Sequence, residues 1–194
     1  MPTIASSKIW LKDWKTGSLN NYSSWTNPPS TAKTITVGNA SSTYWGIGIK
    51  FTLSTPATNI TFNFKNGSTM PNRNALLQYK FTTSEDTSFT GVYTASGGTG
   101  IRWGTITANS SNPMSISVSL AAGTHYFYLW PQSSVGNYPY DHGNFVYSSS
   151  NFSITYTEPT SYTISYNANG HGTAPDSQTK YKGHSLTLRS FIAD

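Results

Sequence analysis

Cysteine is absent from the 194 residues. That excludes a disulfide scaffold, thiolate metal ligation and a cysteine nucleophile. Charge is also scarce. Lys and Arg number 12 and Asp and Glu only 7, for a net charge of +5. The basic residues are scattered: Lys8, Lys12 and Lys15 near the start, then single positions, then Lys180, Lys182 and Arg189. A nucleic-acid protein gathers such residues into a stripe or a helix, so none is expected as a partner. No run approaches the roughly 20 apolar residues of a membrane helix, and no membrane insertion is expected. The first ten residues show neither an early basic cluster nor an apolar core of the signal-peptide kind. The expectation is synthesis and folding in the cytoplasm.

Carboxylates are too few and too dispersed to suggest catalysis. They are Asp13, Glu85, Asp86, Asp141, Glu158, Asp176 and Asp194. A glycosidase needs two that face one bond. Glu85 and Asp86 are adjacent, so a strand would send them to opposite faces. The histidines His125, His142, His171 and His184 lack ligand spacing. Asp141-His142 is the one acid–histidine neighbour pair, and in its Gly/Asn surroundings it reads as a hydrogen-bonded turn. Gly97-Gly98-Thr99-Gly100 lacks the Lys-Ser/Thr of a phosphate loop and runs into Ile101-Arg102-Trp103. No Gly-x-Ser-x-Gly elbow occurs. The sequence reads as a non-enzyme without cofactor or metal.

What is abundant is small and polar, or aromatic. Ser (29), Thr (28) and Asn (16) dominate, and aromatics make up 14%. This composition disfavours helical bundles and suits Thr-, Tyr- and Phe-rich strands joined by Ser/Asn/Gly turns. From 34 to 157 apolar residues recur with period two. Examples are Trp45, Ile47, Ile49, Phe51 and Leu53, then Ile60, Phe62 and Phe64, then Ile116, Val118 and Leu120. His125 to Trp130 is apolar on both sides and reads as a central strand. Seven to nine short strands with turn punctuation predict an all-β, antiparallel two-sheet β-sandwich, jelly-roll or immunoglobulin-like.

Four segments follow. Residues 1–33 read as an irregular Trp-rich arm that docks on the body or on a partner, and 34–157 as the sandwich. Residues 158–161, Glu-Pro-Thr-Ser, read as a linker. In 162–194, Tyr162-Thr-Ile-Ser-Tyr-Asn-Ala-Asn-Gly170 precedes Ala174-Pro175, Gln178-Thr179, a glycine turn at Gly183 and a strand Ser185-Leu-Thr-Leu188. This stretch resembles the opening half of the internalin B-type (Listeria–Bacteroides) repeat. It departs at His171, where the family has Gly, and the repeat's second half is missing. The resemblance implies a partial β-grasp-type segment used in display or adhesion. The texture of 1–157 also resembles fibre-type structural proteins encoded by prophages.

Two groups of residues stand out for contact. Trp130, Gln132, Tyr138, Tyr140, Asp141 and Asn144, with Arg102 and Trp103, combine flat rings with amides and charges. Rings of this kind stack on sugar faces while amides and charges bond hydroxyls. Trp10, Trp14 and Trp25 are candidate assembly contacts. Together these features predict a virion-type structural or display protein of a phage or phage-like particle. Its expected partners are other particle subunits, further copies of itself and a cell-surface glycan, and its expected place is the particle surface. The alternative is a carbohydrate-binding module of a secreted or surface-bound bacterial protein. A glycan-cleaving enzyme is the third reading.

Overall fold

The computed structural model describes residues 1–4, 7–13, 24–26, 33–40, 43–63, 65–66, 76–85, 99–102, 113–131, 142–147, 150 and 152–190. Side chains are described for 1–4, 47–63, 79–85, 113–129, 150 and 152–190. Fourteen strands occur: β1 (Ser7–Asp13), β2 (Ser24–Thr26), β3 (Lys33–Ala40), β4 (Thr43–Leu53), β5 (Ala57–Asn63), β6 (Lys65–Asn66), β7 (Leu76–Thr82), β8 (Thr99–Arg102), β9 (Met114–Leu120), β10 (Gly123–Pro131), β11 (His142–Tyr147), β12 (Ser153–Thr157), β13 (Ser161–Ile164) and β14 (Gln178–Tyr181). No helix occurs among the described residues, so none is long and apolar enough to cross a membrane. Every strand pairing is antiparallel. The chain is an all-β sandwich.

The large sheet has the order β6-β11-β3-β4-β10-β7-β8, and the small sheet the order β12-β5-β9. Residues 2–4 join the free edge of β12. The Ile4 N–H donates to the Ile154 carbonyl at 2.9 Å, and the Tyr156 N–H to that of Pro2 at 3.1 Å. The small sheet therefore reads 2–4, β12, β5, β9. The β4/β10 ribbon ends at Leu53 opposite Gly123. It resumes in the other sheet as β5/β9, with Ala57 opposite Leu120. A ribbon that folds over this way, with this strand order, is a jelly roll and not an immunoglobulin sandwich.

Alternation explains the core. Ile47, Ile49, Phe51 and Leu53 on β4 are at most 2% exposed, while Lys50 and Thr52 between them face solvent. On β5, Ile60 and Phe62 point inward between the half-buried Asn59, Thr61 and Asn63. Phe62 crosses the sandwich and stacks on Phe127 of β10, with ring centroids 4.3 Å apart. Phe51 meets Phe62 edge-on at 6.2 Å. Each such ring removes enough apolar surface to stabilise the fold by about 1.5–3 kcal/mol. Strand β10 is central, flanked by β4 and β7, as its two-sided apolar run predicts.

Several expectations change. Residues 7–13 and 24–26 are strands, not irregular chain, and β1 lies along β4 from Ser7 opposite Phe51 to Asp13 opposite Trp45. The eleven-residue β4 has room for this, because β1 takes the edge opposite β10: Ile47 to Phe51 pair with both strands, while β3 meets β4 only at Thr43–Trp45. His142 opens β11 instead of sitting in a turn. Ser185–Leu188 forms no strand; it is held by side chains instead of a ladder. The Gln178 amide donates to the Thr187 carbonyl at 3.1 Å, and the Arg189 N–H donates to the Tyr166 hydroxyl at 2.9 Å. Strands β13 and β14 pair alone as a two-stranded sheet, with Tyr162 and Leu188 exposed.

Candidate binding face

The side of the large sheet turned away from the core carries paired cations and rings. Register sets Lys50 opposite Tyr126 and Lys80 opposite Tyr128. In each pair the ammonium lies 5.7 Å from the ring centroid. That is within the reach of a cation–π interaction, worth about 0.5–1 kcal/mol when exposed. Hydroxyls surround the pairs. Thr52 and Thr124 share a hydrogen bond at 3.1 Å across the β4/β10 junction, and Thr82 donates to the Ser84 carbonyl at 2.7 Å. Lys50, Thr52 and Thr124 are exposed, Tyr126, Lys80 and Thr82 half-buried, and Tyr128 buried. Gly48 stands opposite Tyr128.

The chemistry of this face is mixed. Strand pairs space their side chains about 4.8 Å apart across the sheet. A ligand laid on this face meets a half-exposed ring, two ammonium donors and three hydroxyls at fixed intervals. Among the described residues no group of three His, Cys, Asp or Glu side chains could hold a metal. The described carboxylates Glu85, Glu158 and Asp176 are all exposed. Glu158 accepts from the Thr55 hydroxyl, and Asp176 pairs with Arg189 at 3.4 Å. His125 is 5% exposed, and its Nε2 lies 2.8 Å from the Ala121 carbonyl. It packs against Phe51 with ring centroids 5.9 Å apart.

The residues singled out from sequence fall elsewhere. Trp130 is on β10 opposite Gln78, Arg102 on β8 opposite Leu76, and Asn144 on β11 opposite Thr36. Topology puts all three toward the same end of the large sheet, where β10 leaves and β11 enters. Gln132, Tyr138, Tyr140, Asp141 and Trp103 lie outside the described residues, as does Trp14. Trp10 stands opposite Gly48, and Trp25 opposite Ile9, both by backbone register alone. Sequence reading missed the Lys50–Tyr126 and Lys80–Tyr128 pairs. Their signal was present in the alternation, because Lys50 and Lys80 each interrupt an apolar series at an outward position.

No family model matches the chain, and no curated protein does. Among solved structures it is similar to a family 35 carbohydrate binding module from Clostridium thermocellum, at 12% identity and a TM-score of 0.33 over 68% of this chain and 96% of that one. It is also similar to a CBM35 from Paenibacillus barcinonensis, at 11% identity and a TM-score of 0.33 over 76% and 98%. A third likeness is to the catalytic unit of a GH87 alpha-1,3-glucanase from Streptomyces thermodiastaticus, at 9% identity and a TM-score of 0.32 over 68% and 25%.

Proposed function

We propose that the chain is a non-catalytic carbohydrate-recognition domain acting at a cell surface. The observation that supports this is the Lys50/Tyr126 and Lys80/Tyr128 face with its rim of threonines. A pyranose offers an apolar C–H face to a ring and hydroxyls to ammonium and threonine groups. The face supplies both sets on one sheet. Display on a phage-like particle would use the same recognition, but the described geometry does not require a particle.

The test is affinity electrophoresis of the purified chain through gels containing bacterial wall polysaccharide or plant polysaccharides. Lys50→Ala and Tyr126→Ser are compared with Trp103→Ala, Tyr138→Ala and Tyr140→Ala. The face variants are expected to weaken binding about tenfold, the equivalent of 1.4 kcal/mol. Loss confined to the other three variants would move the site to Trp103, Tyr138 and Tyr140. Retardation by none of the polysaccharides would end the carbohydrate reading.

A further inference from the structure

Register lines up rows of residues across four neighbouring strands of the large sheet. One row runs Lys8, Lys50, Tyr126 and Thr82 across β1, β4, β10 and β7. The next runs Trp10, Gly48, Tyr128 and Lys80. Lys12 follows on β1, opposite Gly46. No Asp or Glu occupies a position in either row. Asp13, the one acid on the four strands, pairs with Trp45 and falls in the other set of the alternation. Lys8 directly opposite the exposed Lys50 is a like-charge cross-strand pair, which by itself destabilises a sheet. An anion seated over the pair turns that repulsion into attraction.

We propose that this face selects an anionic glycan, one whose repeat units carry a carboxylate or a phosphate. The inference rests on the carbohydrate reading above and narrows it. The cation–π pairs supply the discrimination. The Lys50 ammonium lies 5.7 Å from the centroid of the Tyr126 ring. A sugar that stacks on this half-buried ring displaces the ammonium. A neutral sugar gives up that contact with no charge in exchange. An acidic sugar keeps the displaced ammonium as its counter-ion, with Lys8 next to it in register. A charge-assisted hydrogen bond to carboxylate or phosphate is also roughly twice as strong as one to a neutral hydroxyl. Lys50 and Lys80 stand on the strands either side of β10, so a chain lying across its rings meets a cation on each flank. Of the two tyrosines in these rows, Tyr128 is buried and only Tyr126 is accessible. Single-stranded nucleic acid stacks successive bases on several rings, so one accessible tyrosine suits a glycan better.

The probes are immobilised polygalacturonate, the same polymer with its carboxyls reduced to alcohols, and a phosphate-bearing teichoic acid. The chain is expected to bind at least one acidic polymer about tenfold more tightly than the reduced one. That preference fades as salt shortens the Debye length from about 10 Å at 0.1 M to about 3 Å at 1 M. The acidic polymer bound more tightly identifies the anion. Lys50→Gln and Lys8→Gln are each expected to weaken acidic binding roughly threefold and to leave binding to the reduced polymer no weaker. Lys182→Gln removes the same charge from an exposed position just past β14 and is expected to change neither. Equal binding to acidic and reduced polymers overturns the charge selection and leaves the carbohydrate reading standing. A loss in Lys182→Gln equal to that in Lys50→Gln also overturns it, because net charge alone then accounts for the attraction. Binding to none of the three removes the carbohydrate reading and this inference with it. Tighter binding to a single-stranded oligonucleotide than to either acidic polymer overturns it in favour of nucleic acid.

Discussion

His125 places an imidazole where a hydrocarbon would fit. Its Nε2 reaches the Ala121 carbonyl, but Nδ1 is buried without a partner among the described residues. A buried, unpaired acceptor carries a desolvation cost of about 1–3 kcal/mol. Phe51 and His125 sit opposite each other across β4 and β10, so the ring still fills volume next to an aromatic neighbour. The two contributions separate by substitution. His125→Ala removes the volume and is expected to destabilise by about 2–4 kcal/mol. His125→Phe keeps the volume, removes the orphaned nitrogen and is expected to cost less than about 1 kcal/mol. Ala121 is exposed, so water replaces its lost partner. Urea denaturation of both variants checks this. Equal losses would mean that the hydrogen bond to Ala121, and not ring packing, accounts for the residue's contribution.

Among the elements, the corner between sheets concentrates the backbone constraint. Gly123 has φ of +126°, a conformation that side chains rarely adopt. It stands opposite Leu53, the last partner before the β4/β10 ribbon folds over. Open space surrounds the position where a Cβ would sit, so the cost of adding one is conformational. Gly123→Ala is expected to destabilise by about 1–3 kcal/mol. Thr124→Ala, one residue on and exposed, is expected to change stability by less than about 0.5 kcal/mol. A thermal melt of the pair decides it. The neighbouring corner is fixed by side chains: the Tyr156 hydroxyl bonds Ser54 at 2.9 Å and Thr55 at 3.0 Å.

Elements that alternate cleanly were the legible ones. Ile47, Ile49, Phe51 and Leu53 declared a strand and its buried face together, and the run from His125 to Trp130 declared a central strand. Strand β1 was hidden because Lys8, Lys12 and Asp13 flank its apolar residues and read as surface chain. Its pairing depends on β4, more than thirty residues away. Strand β11 was hidden among Gly143 and Asn144, which propensity assigns to turns. The Lys–Tyr face was legible only by halves: alternation turned Lys50 and Lys80 outward but did not set them beside their rings. Lys50 and Tyr126 are neighbours only through long-range register, and sequence alternation gives the face of a residue but not its cross-strand partner. The jelly-roll order likewise rests on pairings between distant strands, which local pattern does not encode. Ser185–Leu188 failed as a strand because alternation alone supplies no partner for its backbone.

At the level of the whole molecule, the sandwich and the C-terminal hairpin are stabilised separately. Strands β13 and β14 pair with each other and with no other described strand. Their surroundings are local: Tyr166 donates to the Gln178 side chain, and Lys180 to the His184 carbonyl. A backbone bond of 2.8 Å from Lys182 to the Thr160 carbonyl ties the hairpin to the end of the sandwich. Upstream of it, Pro159 is buried and Glu158 is held by Thr55, so the sandwich is complete at Thr160. A chain ending at Thr160 is expected to lose less than about 1 kcal/mol, a shift of roughly 2–4 °C in Tm for a domain of this size. Calorimetry of the two lengths measures it. A larger drop would show that the hairpin supports the core.

Residues 2–4 lie in one sheet and β1 in the other, so the N-terminal stretch belongs to both. Thr3 bridges Thr155, at almost the opposite end of the sandwich sequence. During synthesis the early strands therefore wait for late ones. The small sheet cannot complete its β12 edge until residues near 157 have left the ribosome, and β4 lacks β10 until residue 131 has done so. Contacts this distant in sequence make folding slow, on the millisecond-to-second scale of all-β domains. Meanwhile Ile47, Ile49 and Phe51 stay uncovered on the nascent chain. The scarcity of charge that suits the finished surface leaves that intermediate little protection against its neighbours on the same message.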